Sequence, residues 1–302
     1  MYKLIALDMD GTLLNNNQSI SKENIVAIKR AKELGVKVVL TTGRSIGGIE
    51  RYLKKLDLIN DDEYSITCSG ALILNNTKKK IIECNPISYD EFKYIFDLAK
   101  KINITLNIYS EDCIYVPSYD PFSKFDSIAN NVPLKLVDFN SLNKDITINK
   151  VTLINEDLSI LKKLKSFFPS VCLENLDVKA KKNFDENLFE DISKVSSEFL
   201  EKFTALKTSP YTMEVIKKVC NKGKGVQTMA ERLGIKKEEV ICVGDSGNDK
   251  HMIEFAGLGV AMQNAFPEIK EIADYVTYTN EENGVAHVIE KFILNEDIRI
   301  AN

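Results

Sequence analysis

Two aspartates one residue apart, Asp8 and Asp10, close the first apolar run of the chain, Leu4-Ile5-Ala6-Leu7. A carboxylate in that place has three chemistries open to it: holding a hard cation, attacking an electrophile, or moving a proton. Other polar groups stand at comparable places. Thr42-Gly43 follows the apolar run Val36–Leu40 and offers a hydroxyl and backbone N–H groups to an anion. Lys222, just ahead of Gly223 and a helical stretch, adds a positive charge. Gly244-Asp245-Ser246-Gly247-Asn248-Asp249 follows Glu239–Val243 and makes a second acidic loop at a helix start. Asp8 and Asp245 together could ligate one cation through oxygen. Each position also has a purely structural reading. Asp8 and Asp10 would suit a strand-end turn, Asp245 and Asp249 would cap a helix, Thr42 would serve as a turn residue, and Lys222 as a solvated charge.

For these residues to meet, their strands must run parallel and end at one edge of a sheet, where open α/β sheets bind ligands. The patterning provides such strands. Leu4–Leu7 reads as a strand buried on both faces, and Gly11 lets the chain turn directly after it. Ser21 is placed to cap a helix with Ile25, Ile28, Ala31 and Leu34 on one face and Gly35 past its end. Strands over Val36–Leu40 and Tyr64–Cys68 follow, then a hairpin over Ala71–Glu83 turning at Asn75–Lys78. The character changes between about Asn85 and Thr208. Here a helix is expected over Ser88–Lys101, strands over Leu106–Tyr109, Cys113–Val116 and Lys150–Ile154, and a helix over Leu158–Phe168. Glu174–Lys202 is charge-rich and weakly patterned, and Lys179–Asp191 reads as an exposed excursion. Alternation returns with helices over Gly225–Leu233, Asp249–Ala256, Pro267–Ala273 and Val285–Leu294, and strands over Glu239–Val243, Leu258–Met262 and Val276–Tyr278. The simplest architecture is an α/β core, residues 1–84 and 209–302, interrupted by an α+β domain over residues 85–208.

Composition narrows the partners. With 302 residues, 44% hydrophobic and 28% charged, the chain fits a globular protein of two domains. A net charge of -4 gives no electrostatic reason to bind nucleic acid or an acidic membrane surface. No apolar run approaches the roughly 18 residues of a membrane helix, and Asp8 and Asp10 interrupt the N-terminal run too early for a signal peptide. The six cysteines are irregularly spaced without a C-x-x-C pair, so reduced thiols in a cytoplasmic protein are expected in place of disulfides or zinc. Neither His251 nor His287 lies near a serine or cysteine motif, which leaves no material for a catalytic triad. Tyr109, Tyr115, Tyr119, Phe122 and Phe125 cluster in the middle; packing inside that domain is the favoured role, with one or two left as candidates to face a ligand. A monomer or weak homo-oligomer is expected.

Taken together, Asp8-x-Asp10-Gly11-Thr12, Thr42-Gly43-Arg44, Lys222-Gly223 and Gly244-Asp245-x-x-Asn248-Asp249 resemble the four motifs of the haloacid dehalogenase-like phosphohydrolases. Thr208-Ser209-Pro210-Tyr211, Gly257–Met262, Asn264-Ala265 and Glu282–Ala286 resemble the Cof-type subfamily, most closely its YidA-type sugar-phosphate phosphatases. The likeness is strongest over residues 1–84 and 205–294. Two positions depart from the pattern: Ser69 stands where asparagine is usual, and Gln263 where glycine or aspartate is usual. The resemblance implies a Rossmann-like parallel-sheet core with an inserted α+β cap, and Mg²⁺-dependent hydrolysis of small phosphorylated metabolites. By the same resemblance Asp8 is the nucleophile and Asp10 the general acid and base. Asp8, Asp245 and the backbone carbonyl of Asp10 hold the metal, while Met9 (through its amide), Thr42, Gly43, Lys222 and Asn248 hold the phosphoryl oxygens. Asp249 orients Lys222 or a metal-bound water. A phosphomutase, a phosphatase of cofactor-type esters such as pyridoxal phosphate or flavin mononucleotide, and a non-catalytic phosphate-ligand sensor are the alternatives.

Overall fold

A computed structural model describes residues 1–77, 80–154, 197–209 and 212–295. The expected helix over Leu158–Phe168 and the excursion over Lys179–Asp191 lie outside these residues. The chain separates into two compact units, one comprising residues 1–43, 50–83 and 221–302, the other residues 44–49 and 84–220.

The first unit begins with β1 (Leu4–Leu7), buried at every position, and α1 (Lys22–Glu33). Ser21 caps α1 by accepting from the Asn24 amide, and Gly35 ends it at φ 82°. β2 (Lys37–Thr41), β3 (Tyr64–Thr67), β4 (Leu72–Asn75) and β5 (Lys80–Cys84) follow; α2 (Ile46–Lys55), between β2 and β3 in the chain, has its first four residues in the second unit. In the second unit come α3 (Tyr89–Lys101), β6 (Thr105–Tyr109), β7 (Ile114–Val116), α4 (Pro121–Asn130) and β8 (Leu134–Leu136). β9 (Lys150–Ile154), α5 (Ser197–Lys202), β10 (Phe203–Ser209) and β11 (Thr212–Lys217) complete it. The chain then returns to the first unit with α6 (Lys222–Arg232), β12 (Val240–Gly244), α7 (Lys250–Phe255), β13 (Leu258–Ala261), α8 (Pro267–Ile272), β14 (Tyr275–Val276) and α9 (Gly284–Phe292).

The sheet of the first unit has the order β14-β13-β12-β1-β2-β3-β4-β5. From β14 to β3 all neighbours are parallel, and β3–β4 is antiparallel. β1 lies at the centre, with β2 and β3 succeeding it on one side and β12, β13 and β14 on the other. The direction of winding therefore reverses between β1 and β12, the kind of switch point at which α/β sheets open a crevice. Leu7 is in register with Val243 and Leu40, which sets the ends of β1, β12 and β2 level. One face of this sheet packs Leu4, Ala6, Val39, Ile66, Val240 and Cys242 against Val226 and Met229 of α6 and Met252 of α7. Each of the leucine, isoleucine, valine and methionine side chains here contributes on the order of 1.5–3 kcal/mol by leaving water.

The second unit carries a six-stranded sheet of order β10-β11-β9-β6-β7-β8, antiparallel except for β7–β8. The sheet continues to Lys217, past the 208/209 boundary expected from the sequence, because β10 and β11 pair with each other and β11 pairs onto β9. Leu106, Ile108, Val151, Leu153, Met213 and Val215 bury one face beneath Phe92 and Ile95 of α3. The alternate residues form a polar face: Asn107 and Tyr109 on β6, Lys150 and Thr152 on β9, and Glu214 on β11. All five are buried, and Lys150 Nζ lies 2.6 Å from Glu214 Oε1. Of the clustered aromatics, Tyr109 hydrogen-bonds Asp126, Tyr115 packs against the apolar cluster, and Tyr119 is exposed. Among the described residues no helix is long and apolar enough to cross a membrane.

Candidate active site

The ends of β1, β2 and β12, with the N-terminus of α6, bring the sequence-marked residues of the first unit together. Asp8 continues β1 by donating its amide to the Val243 carbonyl at 3.0 Å. Beyond it the chain turns sharply: the Leu14 amide bonds the Met9 carbonyl at 2.8 Å, and Gly11 takes φ 81°. A β-carbon on Gly11 would lie 2.5 Å from Asp245 Oδ2, so only glycine lets this turn close against the second acidic loop. Met9 is wholly buried, whereas Asp10 is exposed just past the strand end.

At the centre, the ammonium of Lys222 is 2.5 Å from Asp8 Oδ1 and 2.6 Å from Asp249 Oδ1, with Lys222 and Asp249 fully buried. Asn221 starts α6 by accepting the Lys224 amide at 2.7 Å, which places Lys222 at the first helical position. Asp249 has its other oxygen engaged too: Oδ2 accepts the amides of Asp245 and Ser246, each at 2.9 Å. Asp245 Oδ1 accepts the Thr12 hydroxyl at 2.7 Å. One carboxylate oxygen from each of Asp8, Asp245 and Asp249 lies within 4.8 Å of the others, a hard-oxygen set of the kind that suits a divalent cation. Thr42 is buried at the end of β2, its amide on the Ile66 carbonyl at 2.9 Å, and Gly43 beside it is half-buried. Asn248 is buried and accepts the Ser246 hydroxyl through Oδ1 at 2.9 Å, which engages its oxygen and leaves its NH₂ as the donating group.

Burial decides the electrostatics. The Asp8 carboxyl is pushed up to about 7, first by burial and then by the charge of Asp249, against the lowering pull of Lys222. Asp245 is raised well above the usual carboxylate range by burial and by Asp8 and Asp249, with the Thr12 hydrogen bond opposing. Burial alone would lower Lys222, but Asp249 and Asp8 outweigh it and hold the ammonium above its usual value. Ionised together, the three acids around one ammonium would carry an excess of negative charge; a bound cation would offset it and so favour the ionised carboxylates.

Sequence reasoning does not single out Thr12, Ser246 or Asn264 as site residues. Thr12 fixes Asp245; Asn264 Nδ2 donates to the Gly11 carbonyl at 2.8 Å while its Oδ1 accepts the Asn280 amide at 3.1 Å. Thr12 and Asn264 are visible in the sequence only as members of motifs, and nothing local distinguishes a hydroxyl that braces a carboxylate from one that faces water.

A family model described as haloacid dehalogenase-like hydrolase matches residues 5–289. The Bacillus subtilis protein YxeH, whose name assigns it a phosphatase activity provisionally, is 36% identical over 97% of this chain and 99% of its own length. From the same organism, YcsE, named 5-amino-6-(5-phospho-D-ribitylamino)uracil phosphatase, is 31% identical over 97% of this chain and 96% of its own. The crystal structure of a haloacid dehalogenase-like hydrolase from Bacteroides thetaiotaomicron superposes with a TM-score of 0.72, at 28% identity, over 96% of this chain and 99% of that one.

Proposed function

This chain belongs to the haloacid dehalogenase-like hydrolases, and from that premise we propose that it is a Mg²⁺-dependent phosphatase of small phosphorylated metabolites, acting through an aspartyl phosphate on Asp8. The observation that carries the reading is the buried Lys222–Asp8 contact of 2.5 Å at the switch point of the sheet, with Asp245 and Asp249 converging on it.

The metal fits the donor set. Asp249 has both oxygens committed to Lys222 and to two amides, so Asp8, Asp245 and the Asp10 carbonyl are assigned as its holders and Asp249 as the brace of Lys222. When bound, Mg²⁺ supplies positive charge that favours ionised Asp8 and offsets the repulsion between that carboxylate and a dianionic phosphate. An Asp8 oxygen attacks phosphorus and the ester P–O bond breaks. Asp10, exposed past the strand end, gives its proton to the departing alkoxide. Water then attacks the phosphoryl group, Asp10 takes the water's proton, and the bond from phosphorus to Asp8 breaks, releasing inorganic phosphate. Lys222, Thr42, Gly43, Asn248 and the Met9 amide are assigned to the phosphoryl oxygens, on which transition-state charge must be stabilised. The second unit is assigned the role of the cap that selects the leaving group.

For the substrate we infer a primary phosphate ester on a polyhydroxylated chain. A sugar phosphate fits the resemblance of the motifs. A phosphoribityl ester is the second reading, favoured by the activity for which relatives such as YcsE are named. A panel of phosphate esters with Mg²⁺, scored by kcat/KM, separates the two. Asp8→Asn is expected to abolish phosphate release and chelation to do so reversibly; full turnover after either change would refute the mechanism.

A further inference from the structure

The chain leaves β3 through three consecutive residues in the left-handed region: Cys68 at φ 50°, Ser69 at φ 55° and Gly70 at φ 99°. Residues with a β-carbon enter that region at a cost, because the β-carbon crowds the following carbonyl. Two of them in succession, both buried, persist only where the surroundings fix the backbone. The turn touches two parts of the site. The Ser69 amide donates to the Thr42 carbonyl at 2.9 Å. On the other side Gly70 packs on the start of α6: a β-carbon there would lie 2.2 Å from the Asn221 carbonyl oxygen and 3.0 Å from the Lys222 nitrogen. That carbonyl accepts the Gly225 amide at 3.0 Å in the first turn of the helix. Gly223, the next residue, packs on another segment: a β-carbon there would lie 2.3 Å from the His251 carbonyl oxygen. The backbone at the root of Lys222 is thus packed closely at Gly70 and, one residue on, at His251.

We propose that the left-handed turn Cys68–Gly70 is a positioning element that holds Thr42 and Lys222 at one fixed separation, so that both reach the same phosphoryl group. The proposal rests on the reading of those two residues as phosphoryl contacts. In this proposal Ser69 and Gly70 act through Thr42 and Lys222. The backbone amides of the metal-holding residues bond elsewhere, Asp8 to the Val243 carbonyl and Asp245 to the Asp249 carboxylate, and Lys222 meets Asp8 and Asp249 through the end of its long side chain, so the metal holders are displaced less than Thr42 and the root of Lys222.

Gly70→Ala and Ser69→Val are compared with Ser69→Gly and the parent chain. The first two are expected to lower kcat about 10- to 100-fold, the scale of an ångström-level misplacement. They should also weaken calorimetric binding of inorganic phosphate in Mg²⁺ about tenfold, while the Mg²⁺ activation constant stays within about twofold. Ser69→Gly accepts the left-handed backbone freely and is expected to keep both kcat and phosphate affinity near parental. A folded Gly70→Ala with unchanged kcat and phosphate affinity overturns the proposal. So does a Mg²⁺ constant that moves as far as kcat, because that reports general loosening. Should Gly70→Ala not fold, equal kcat and phosphate affinity in Ser69→Val and Ser69→Gly would overturn it. Phosphate binding that weakens in the variants of a chain that hydrolyses no ester would refute the phosphatase reading and support the positioning role.

Discussion

Replacing Lys222 by methionine tests how the candidate site is held together. The ammonium is fully buried, 2.5 Å from Asp8 and 2.6 Å from Asp249. At an effective dielectric of about 20, each contact is worth about 6 kcal/mol of Coulomb energy, set against several kcal/mol for desolvating the ammonium. Methionine fills a similar volume but leaves the carboxylates within 4.8 Å of one another, a repulsion of about 3 kcal/mol on the same scale. Breaking one partner of a buried ion pair costs about 3–5 kcal/mol, a large share of a typical folding stability of about 5–15 kcal/mol. The chain has no tryptophan, so urea unfolding is best followed by far-UV circular dichroism. Lys222→Met is expected to lose about 3–5 kcal/mol at pH 8 without metal. Lys222 lowers the Asp8 pKa, so its removal raises that pKa further and protonation relieves the repulsion; the loss should shrink toward pH 5. Adding Asp249→Asn removes one of the stranded charges, so the double variant should be more stable than the sum of the singles by about 2–3 kcal/mol. A loss below about 1 kcal/mol at pH 8, or the same loss at pH 5 and pH 8, would refute this account.

Without metal, Asp8 has its pKa raised from 3.8 to about 7, so its favourable contribution is complete below pH 3.8 and is lost as pH rises through 7. Mg²⁺, which binds the ionised form, should therefore raise Tm more at pH 8 than at pH 5.5; equal shifts in differential scanning calorimetry would contradict the assignment. Thr12→Val removes the hydroxyl that Asp245 accepts and is expected to raise the Mg²⁺ activation constant about tenfold, read from initial rates against metal concentration. In the second unit, Lys150→Met strands buried Glu214 and should cost about 3–5 kcal/mol in urea, whereas Lys150→Met with Glu214→Leu should recover most of it.

Most elements of the first unit are legible in the sequence because each signal is local. Four buried apolar residues before Asp8, Ser21 ahead of an amphipathic stretch, and Pro267 at a helix start carry their meaning within one turn or strand. The second unit is less readable. α4 is hidden although Asp120 caps it and Pro121 opens it, because its aromatic residues compete for a reading as packing or ligand contacts. β10 and β11 are hidden because Thr208–Tyr211 reads as a motif, which obscures the strands to either side. Asn107, Lys150, Thr152 and Glu214 alternate with apolar neighbours, the pattern of a strand with one face in water, yet all are buried. For the site, the carboxylates and Lys222 announce themselves by type and place. The left-handed run at Cys68–Gly70 does not, because backbone conformation at a cysteine and a serine leaves no compositional trace.

The central position of β1 also sets a timetable. Its neighbour on one side, β2, arrives within 40 residues, but its neighbour on the other, β12, begins only at Val240. At about 5–20 residues per second of synthesis, that edge of β1 waits roughly 10–50 s for its partner. Meanwhile residues 84–220 emerge as one continuous stretch with an apolar cluster of their own. The later unit in the sheet-building order is thus the earlier one to have all its parts. During that interval the nascent chain carries an apolar strand with unpaired amides and carbonyls, the species most open to pairing with a second copy. Shielding of the N-terminal third until Val240–Gly244 is made is therefore expected to raise the yield of folded protein.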